Sequence, residues 1–120
     1  MAYFLAKEDG EGFPCGFFPE GCTAGGMHDW LTLVNPTEEL VLVDIGLHTT
    51  QGPEEAGIED LQVSPLSRRT VLLNDYLPGC YDLCAVVFLK EGSYVFSERS
   101  MYGPGRVWGT CSAGFQLARL

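Results

Sequence analysis

The side chains able to do chemistry in this sequence are few and scattered. Five cysteines (Cys15, Cys22, Cys80, Cys84, Cys111) and two histidines (His28, His48) are the candidate nucleophiles and soft metal ligands. Cys80 and Cys84 form the closest-spaced cysteine pair. If residues 82–89 form a strand, the rise of about 3.3 Å per residue holds their Cα atoms roughly 13 Å apart. A zinc–thiolate bond is only about 2.3 Å, so the spacing predicts no metal site, and no cofactor is needed to complete a core. A nucleophile also needs a base and a group to orient that base. No Gly-x-Ser-x-Gly elbow and no phosphate-binding loop occurs. The acidic pairs Glu38–Glu39, Glu54–Glu55 and Glu59–Asp60 are adjacent in sequence. On a strand such neighbours point to opposite faces and read as solvated charge rather than an acid/base pair. The prediction is a chain that is not an enzyme, with a small Cys/His metal protein or enzyme as the remote alternative.

The other chemistry-bearing stretch runs from Phe96 to Trp108. It brings Arg99, Tyr102, Arg106 and Trp108 toward one end of the expected fold. Planar aromatic rings beside guanidinium groups suit stacking on a sugar or capture of a peptide. These four are the candidate binding residues, with a glycan or a protein as the implied partner. A structural task competes: Arg99 would donate to loop carbonyls and Tyr102 would cover the edge of the core. The structural task is preferred, because a strand-end arginine commonly satisfies backbone acceptors that would otherwise be lost.

The elements that position these groups follow from composition and pattern. The chain has 120 residues, of which 46% are hydrophobic and 19% charged, enough for one folded domain and hardly for two. Fifteen glycines and seven prolines cut it into short pieces, which rules out a bundle of long helices. No apolar run approaches membrane-spanning length, so no membrane insertion is expected. The net charge of −9 has the wrong sign for a nucleic-acid backbone binder. That charge is uneven, −11 over residues 1–60 (twelve acids, one base) and +2 over residues 61–120 (four acids, six bases).

Residues 1–15 read as an extended acidic lead-in, 16–116 as one domain and 117–120 as a tail. Within the domain, short β-prone runs are separated by turn signals every 8–12 residues or so. One strand is expected near 16–22. Trp30–Val34 is stopped by Asn35-Pro36, and 40–47 alternates with Val41, Val43, Ile45 and Leu47 on one face. Residues 49–56 read as a polar loop, and 54–61 is the one helix-like window. Further strands are expected at 58–63, 69–73, 83–89 (apolar enough to be covered on both sides), 94–98 and 107–111. The pattern predicts an all-β fold, an Ig-like antiparallel β-sandwich of seven or eight strands.

Several of these segments resemble a known family. Phe18-Pro19-Glu20-Gly21 followed by Trp30-Leu31-Thr32-Leu33-Val34-Asn35-Pro36, then Val63-Ser64-Pro65, Arg69-Thr70-Val71, Asn74 and Pro78-Gly79, and finally Glu98-Arg99-Ser100-Met101-Tyr102, are similar to the motifs of an uncharacterised bacterial surface-protein β-sandwich module found in tandem. The resemblance spans residues 17–114 and marks Trp30, Asn35, Pro36, Glu98, Arg99 and Tyr102 as structural motif residues. It implies a non-enzymatic unit of a longer surface or exported chain, with a spacer or adhesion role, and carries over no catalytic residue. The alternative function is a carbohydrate- or peptide-binding module using the Arg99–Trp108 end. The expected location is extracellular or at the cell surface. The amino terminus lacks the basic region and long apolar run of a secretion signal, which leaves a cytoplasmic location open.

Overall fold

The computed structural model describes residues 12–117. Nine strands are present among them: β1 (Phe13–Phe18), β2 (His28–Asn35), β3 (Val41–Thr49), β4 (Gly52–Val63), β5 (Ser67–Leu72), β6 (Cys84–Glu91), β7 (Phe96–Tyr102), β8 (Gly109–Ser112) and β9 (Phe115–Gln116). They form a five-stranded sheet in the order β4-β3-β6-β1-β9 and a four-stranded sheet in the order β5-β2-β7-β8. Every pairing is antiparallel. The two sheets pack face to face as a β-sandwich, so the all-β sandwich prediction holds. The described residues alone hold nine strands where seven or eight were expected, the two-residue β9 being too short to leave a sequence pattern.

The core is assembled from period-two positions. Val41, Val43, Ile45 and Leu47 of β3 are at most 1% exposed and form one inward row. Ala85, Val87 and Leu89 of β6 and Leu61 and Val63 of β4 line the same sheet, facing Leu31 and Leu33 of β2 and Val71 of β5. The central strand β6 is buried on both faces. Val86 and Phe88 point away from the other sheet and yet are at most 2% exposed, as a wholly apolar strand requires.

Five local expectations need correction. The expected polar loop over 49–56 is a tight turn at Thr50–Gln51 leading directly into β4, and the helix-like window lies inside that strand. β4 is a sheet edge, where a proline at position 53 and solvent-facing acids are tolerated. The first strand is Phe13–Phe18 rather than 16–22, because it continues into the expected lead-in to pair with β6. β7 extends to Tyr102 because the whole strand pairs with β2. The next strand is delayed to Gly109 by a 3₁₀ turn at Pro104–Arg106. Finally, β6 begins at Cys84, so Cys80–Leu83 is a bend, and the strand-based separation of Cys80 from Cys84 does not apply. Most of the lead-in (1–11) and most of the tail (118–120) lie outside the described residues.

Candidate functional site

Strand parity divides the four candidate binding residues. On β7, Ser97, Arg99 and Met101 turn inward and are at most 8% exposed, whereas Phe96 and Tyr102 turn outward. Arg99 therefore sits inside the sandwich, apart from Tyr102, Arg106 and Trp108. Its Nη1 donates to the carbonyl of Glu20, in the segment that carries the chain from one sheet to the other. Glu98, its neighbour, is exposed on the outer face.

Around Arg99 lies a buried polar knot. Of its members the sequence singled out Asn74 as a motif residue and Cys22 and Cys80 only as possible nucleophiles or ligands, and it did not single out Asp29 or Thr23. Asp29, on the adjacent strand β2, is 1% exposed and accepts the Cys22 N–H through Oδ2 at 3.1 Å. Its own N–H donates to Asn74 Oδ1 at 2.9 Å, and Asn74 Nδ2 donates to the carbonyls of Met27 and Thr23. Thr23 completes the connection: its hydroxyl donates to Leu77 O at 2.6 Å and accepts from the Cys80 N–H at 2.9 Å. Burial pushes the Asp29 carboxyl up to about 6, against the lowering effects of the Cys22 N–H and the Arg99 charge. Asp29 Oδ1 and Arg99 Nε have no hydrogen-bond partner. The pocket between them, lined also by Phe18, Leu31, Leu73 and Leu83, leaves no space for a water molecule. This end of the sandwich is thus held by buried polar groups, some left unsatisfied, in a site with no room for a ligand.

Asn35 does the same work at the opposite end of β2. It is fully buried, and its Nδ2 donates to the carbonyls of Glu39, Val63 and Ser64 while its Oδ1 accepts from the Thr37 N–H and hydroxyl. One side chain thereby ties the β2–β3 turn to the end of β4. Pro36 follows it, exposed, where the strand ends, and Trp30 is half-buried on the outer face of the four-stranded sheet.

The remaining candidates form an exposed group at the β7–β8 connection. Tyr102 is 38% exposed, Trp108 53% and Val107 84%. The Arg106 guanidinium lies over the Tyr102 ring, 5.6 Å from its centroid. Gly103 permits this arrangement, since a Cβ there would strike the Trp108 indole. Gly26 on the neighbouring loop accommodates Pro104 in the same way, and the Tyr81 ring, 75% exposed, lies against Gly25. The result is a tip of aromatic rings and one arginine presented on short turns.

Of the thiols and imidazoles, His48, Cys84 and Cys80 lie near one another at the start of β6. Burial pushes the Cys15 thiol up to about 11, and burial likewise raises Cys80 and Cys84 and lowers His48. His48 pairs with Cys84 in the β3–β6 ladder, while His28 is exposed on the other sheet. Among the described residues, no three His, Cys, Asp or Glu side chains come together in a metal-holding arrangement.

With this geometry in place, comparison with known proteins adds a lineage and a fold. A model of a family of unknown function, DUF5719, matches residues 16–94. The chain belongs to DUF5719. The matched region contains Trp30, Asn35, Asp29 and the Thr23–Asn74 connection, and it ends before Glu98–Tyr102 and the exposed tip. Comparison with curated proteins returns no match. Among solved structures, the DUF5719 chain is similar to Thermotoga maritima 1070, with a TM-score of 0.69 at 18% identity over 90% of this chain and 96% of that one. It is also similar to the Anabaena sensory rhodopsin transducer, with a TM-score of 0.53 at 19% identity over 72% of this chain and 93% of that one. At these identities the likeness shows the fold.

Proposed function

We propose that this DUF5719 chain is a non-enzymatic β-sandwich module of a longer surface or exported protein, with a spacer or adhesion role, and that it touches its partner through the tip at the β7–β8 connection. The observation that carries this reading is the exposure of Tyr102, Val107 and Trp108 together with the stacking of Arg106 on Tyr102. Trp, Tyr and Arg are the residues that most often dominate binding energy when an interface forms. Rigid rings on short turns also lose little conformational entropy on contact. Support for a non-enzymatic role comes from the Cys15 and Cys84 thiols, which burial holds protonated, since the thiolate is the nucleophile. A glycan or an extended peptide is the class of ligand that such a tip recognises by stacking. Arg99 is not part of this surface and serves the fold.

The test is a glycan array and a peptide array probed with the wild-type chain and with Trp108→Ala. The reading expects a binding signal that Trp108→Ala removes at unchanged melting temperature. Equal signals from the two proteins, or no signal from the wild type on either array, would count against it.

A further inference from the structure

Among the described residues the β-sandwich leaves four sheet edges, and three of them are guarded. β5 carries exposed Arg68 and Arg69, and Arg69 Nη1 bonds the Gln62 carbonyl of β4 at 3.0 Å. β4 carries Pro53, Glu54 and Asp60, and its pairing with β3 is interrupted by two register shifts. β9 is only two residues long. Charges, prolines, bulges and shortness are the usual means by which an edge avoids pairing with another chain. β8 has none of the first three. Its residues are Gly109, Thr110, Cys111 and Ser112, its register with β7 is unbroken, and no acid occurs between Arg99 and Leu117 in a chain holding 16. Large apolar side chains flank it in the open: Val107 84%, Trp108 53%, Phe115 62% and Leu117 43% exposed.

The Gly103 N–H donates to the Trp108 carbonyl at 2.8 Å. Hydrogen-bonded and non-hydrogen-bonded pairs alternate along an antiparallel ladder. Met101–Thr110 and Arg99–Ser112 are therefore the bonded pairs, and Tyr102–Gly109 and Ser100–Cys111 the non-bonded ones. Gly109 and Cys111 consequently turn their N–H and C=O groups to the open side.

From this we infer that β8 is a self-association edge, pairing antiparallel with β8 of a second copy of this chain about a two-fold axis at Thr110. That register sets Gly109 of each copy opposite Cys111 of the other and satisfies every outward N–H and C=O of both residues. A two-fold interface needs a patch complementary to itself. An uncharged antiparallel edge meets that condition, and the lack of acids lets two strongly acidic chains approach here and not along β4. Pairing would join the four-stranded sheets into one continuous sheet and bring the exposed apolar flanks toward each other. The proposal is independent of the partner-binding role of the tip.

Two variants test it. Pro at position 111 removes only an outward donor and leaves the bonded pairs to β7 intact. Sedimentation velocity over rising concentration is expected to move the wild type toward twice the monomer mass, with Cys111→Pro remaining monomeric. Thr110 would face its own symmetry mate in a non-bonded pair, with Cα atoms about 4.5 Å apart, within disulfide range. Thr110→Cys in a Cys111→Ser background, treated with oxidised glutathione, is therefore expected to yield a covalent dimer. Two protein thiols give up two electrons and two protons, and glutathione disulfide is reduced to two glutathione thiols. Cys111→Ser alone is expected to yield none. A wild type that stays monomeric throughout, a Cys111→Pro that dimerises like wild type, or a Thr110→Cys variant that gives no covalent dimer would overturn the proposal. Should Cys111→Pro fail to fold, the cross-link decides.

Discussion

Arg99 and Arg106 belong to one β-hairpin, on its first strand and in its turn, and are used in opposite ways. Arg99 is 8% exposed, bonded to the Glu20 carbonyl and adjacent to a buried carboxylate. Arg106 is exposed, stacked on Tyr102 and surrounded by other exposed aromatic or apolar side chains. The same guanidinium is a fastener in one place and a contact surface in the other. What separates them is strand parity and a turn. Residue 99 falls on the inward register of β7, and Gly103–Arg106 lifts the chain off the sandwich before β8 begins. The same division runs through the whole molecule: buried polar groups of β2 and β7 tie the sheets and their connections together, whereas the tip side chains are exposed. Stability and recognition should therefore separate under mutation.

The strongest expected break is at Asn35. Asn35→Ala strands the Val63, Ser64 and Glu39 carbonyls and the Thr37 N–H. Unsatisfied buried groups cost about 1–3 kcal/mol each before relaxation, so a net loss of about 3 kcal/mol is expected, read as a fall of about 10 °C in melting temperature. Arg99→Met comes next. It keeps the stem volume but removes the charge beside Asp29 and the donor to Glu20, and a loss of about 2 kcal/mol is expected by urea denaturation.

The Asp29 carboxyl adds a pH signature to the buried region. Its folded pKa, about 6, lies above the ordinary 3.8. The native state therefore binds more protons than the unfolded chain between those values, and the contribution of this group to stability falls as pH rises through that window, then stays level. Asp29→Asn should remove that slope when denaturation midpoints are compared at pH 4 and pH 7. An unchanged slope would mean that other groups set it.

At the tip the effects on stability should be small. Gly103→Ala forces the Trp108 indole to move, and a shift in tryptophan emission is expected with a loss near 1 kcal/mol. Arg106→Ala should stay within about ±0.5 kcal/mol of wild type in the same melts, as an exposed side chain does. A large destabilisation by Arg106→Ala would erase the contrast with Arg99.

Much of this architecture is legible in the residues themselves. Alternation at Val41, Val43, Ile45 and Leu47 and the unbroken apolar run of β6 declare strands and their burial, because a pleated strand with one or both faces covered allows no other pattern. Asn35-Pro36 marks the end of β2 where the structure ends it. Edge strands are harder to read. β4 looks like a loop because an edge tolerates Pro53 and glutamates, and β9 is too short to leave a pattern.

The sequence alone determined the fold class, the central strands and the presence of an Arg- and aromatic-rich stretch near the C-terminal end, since these depend on local periodicity and composition. Which arginine faces the core was settled only by the tertiary structure. So were the convergence of Asp29, Asn74, Thr23 and Cys80 on one buried junction and the position of the uncharged strand β8 at a sheet edge. Each depends on register between segments far apart in the chain, 57 residues in the Thr23–Cys80 bond and 79 in the Arg99–Glu20 bond. Register is a property of paired strands, and no single strand carries it.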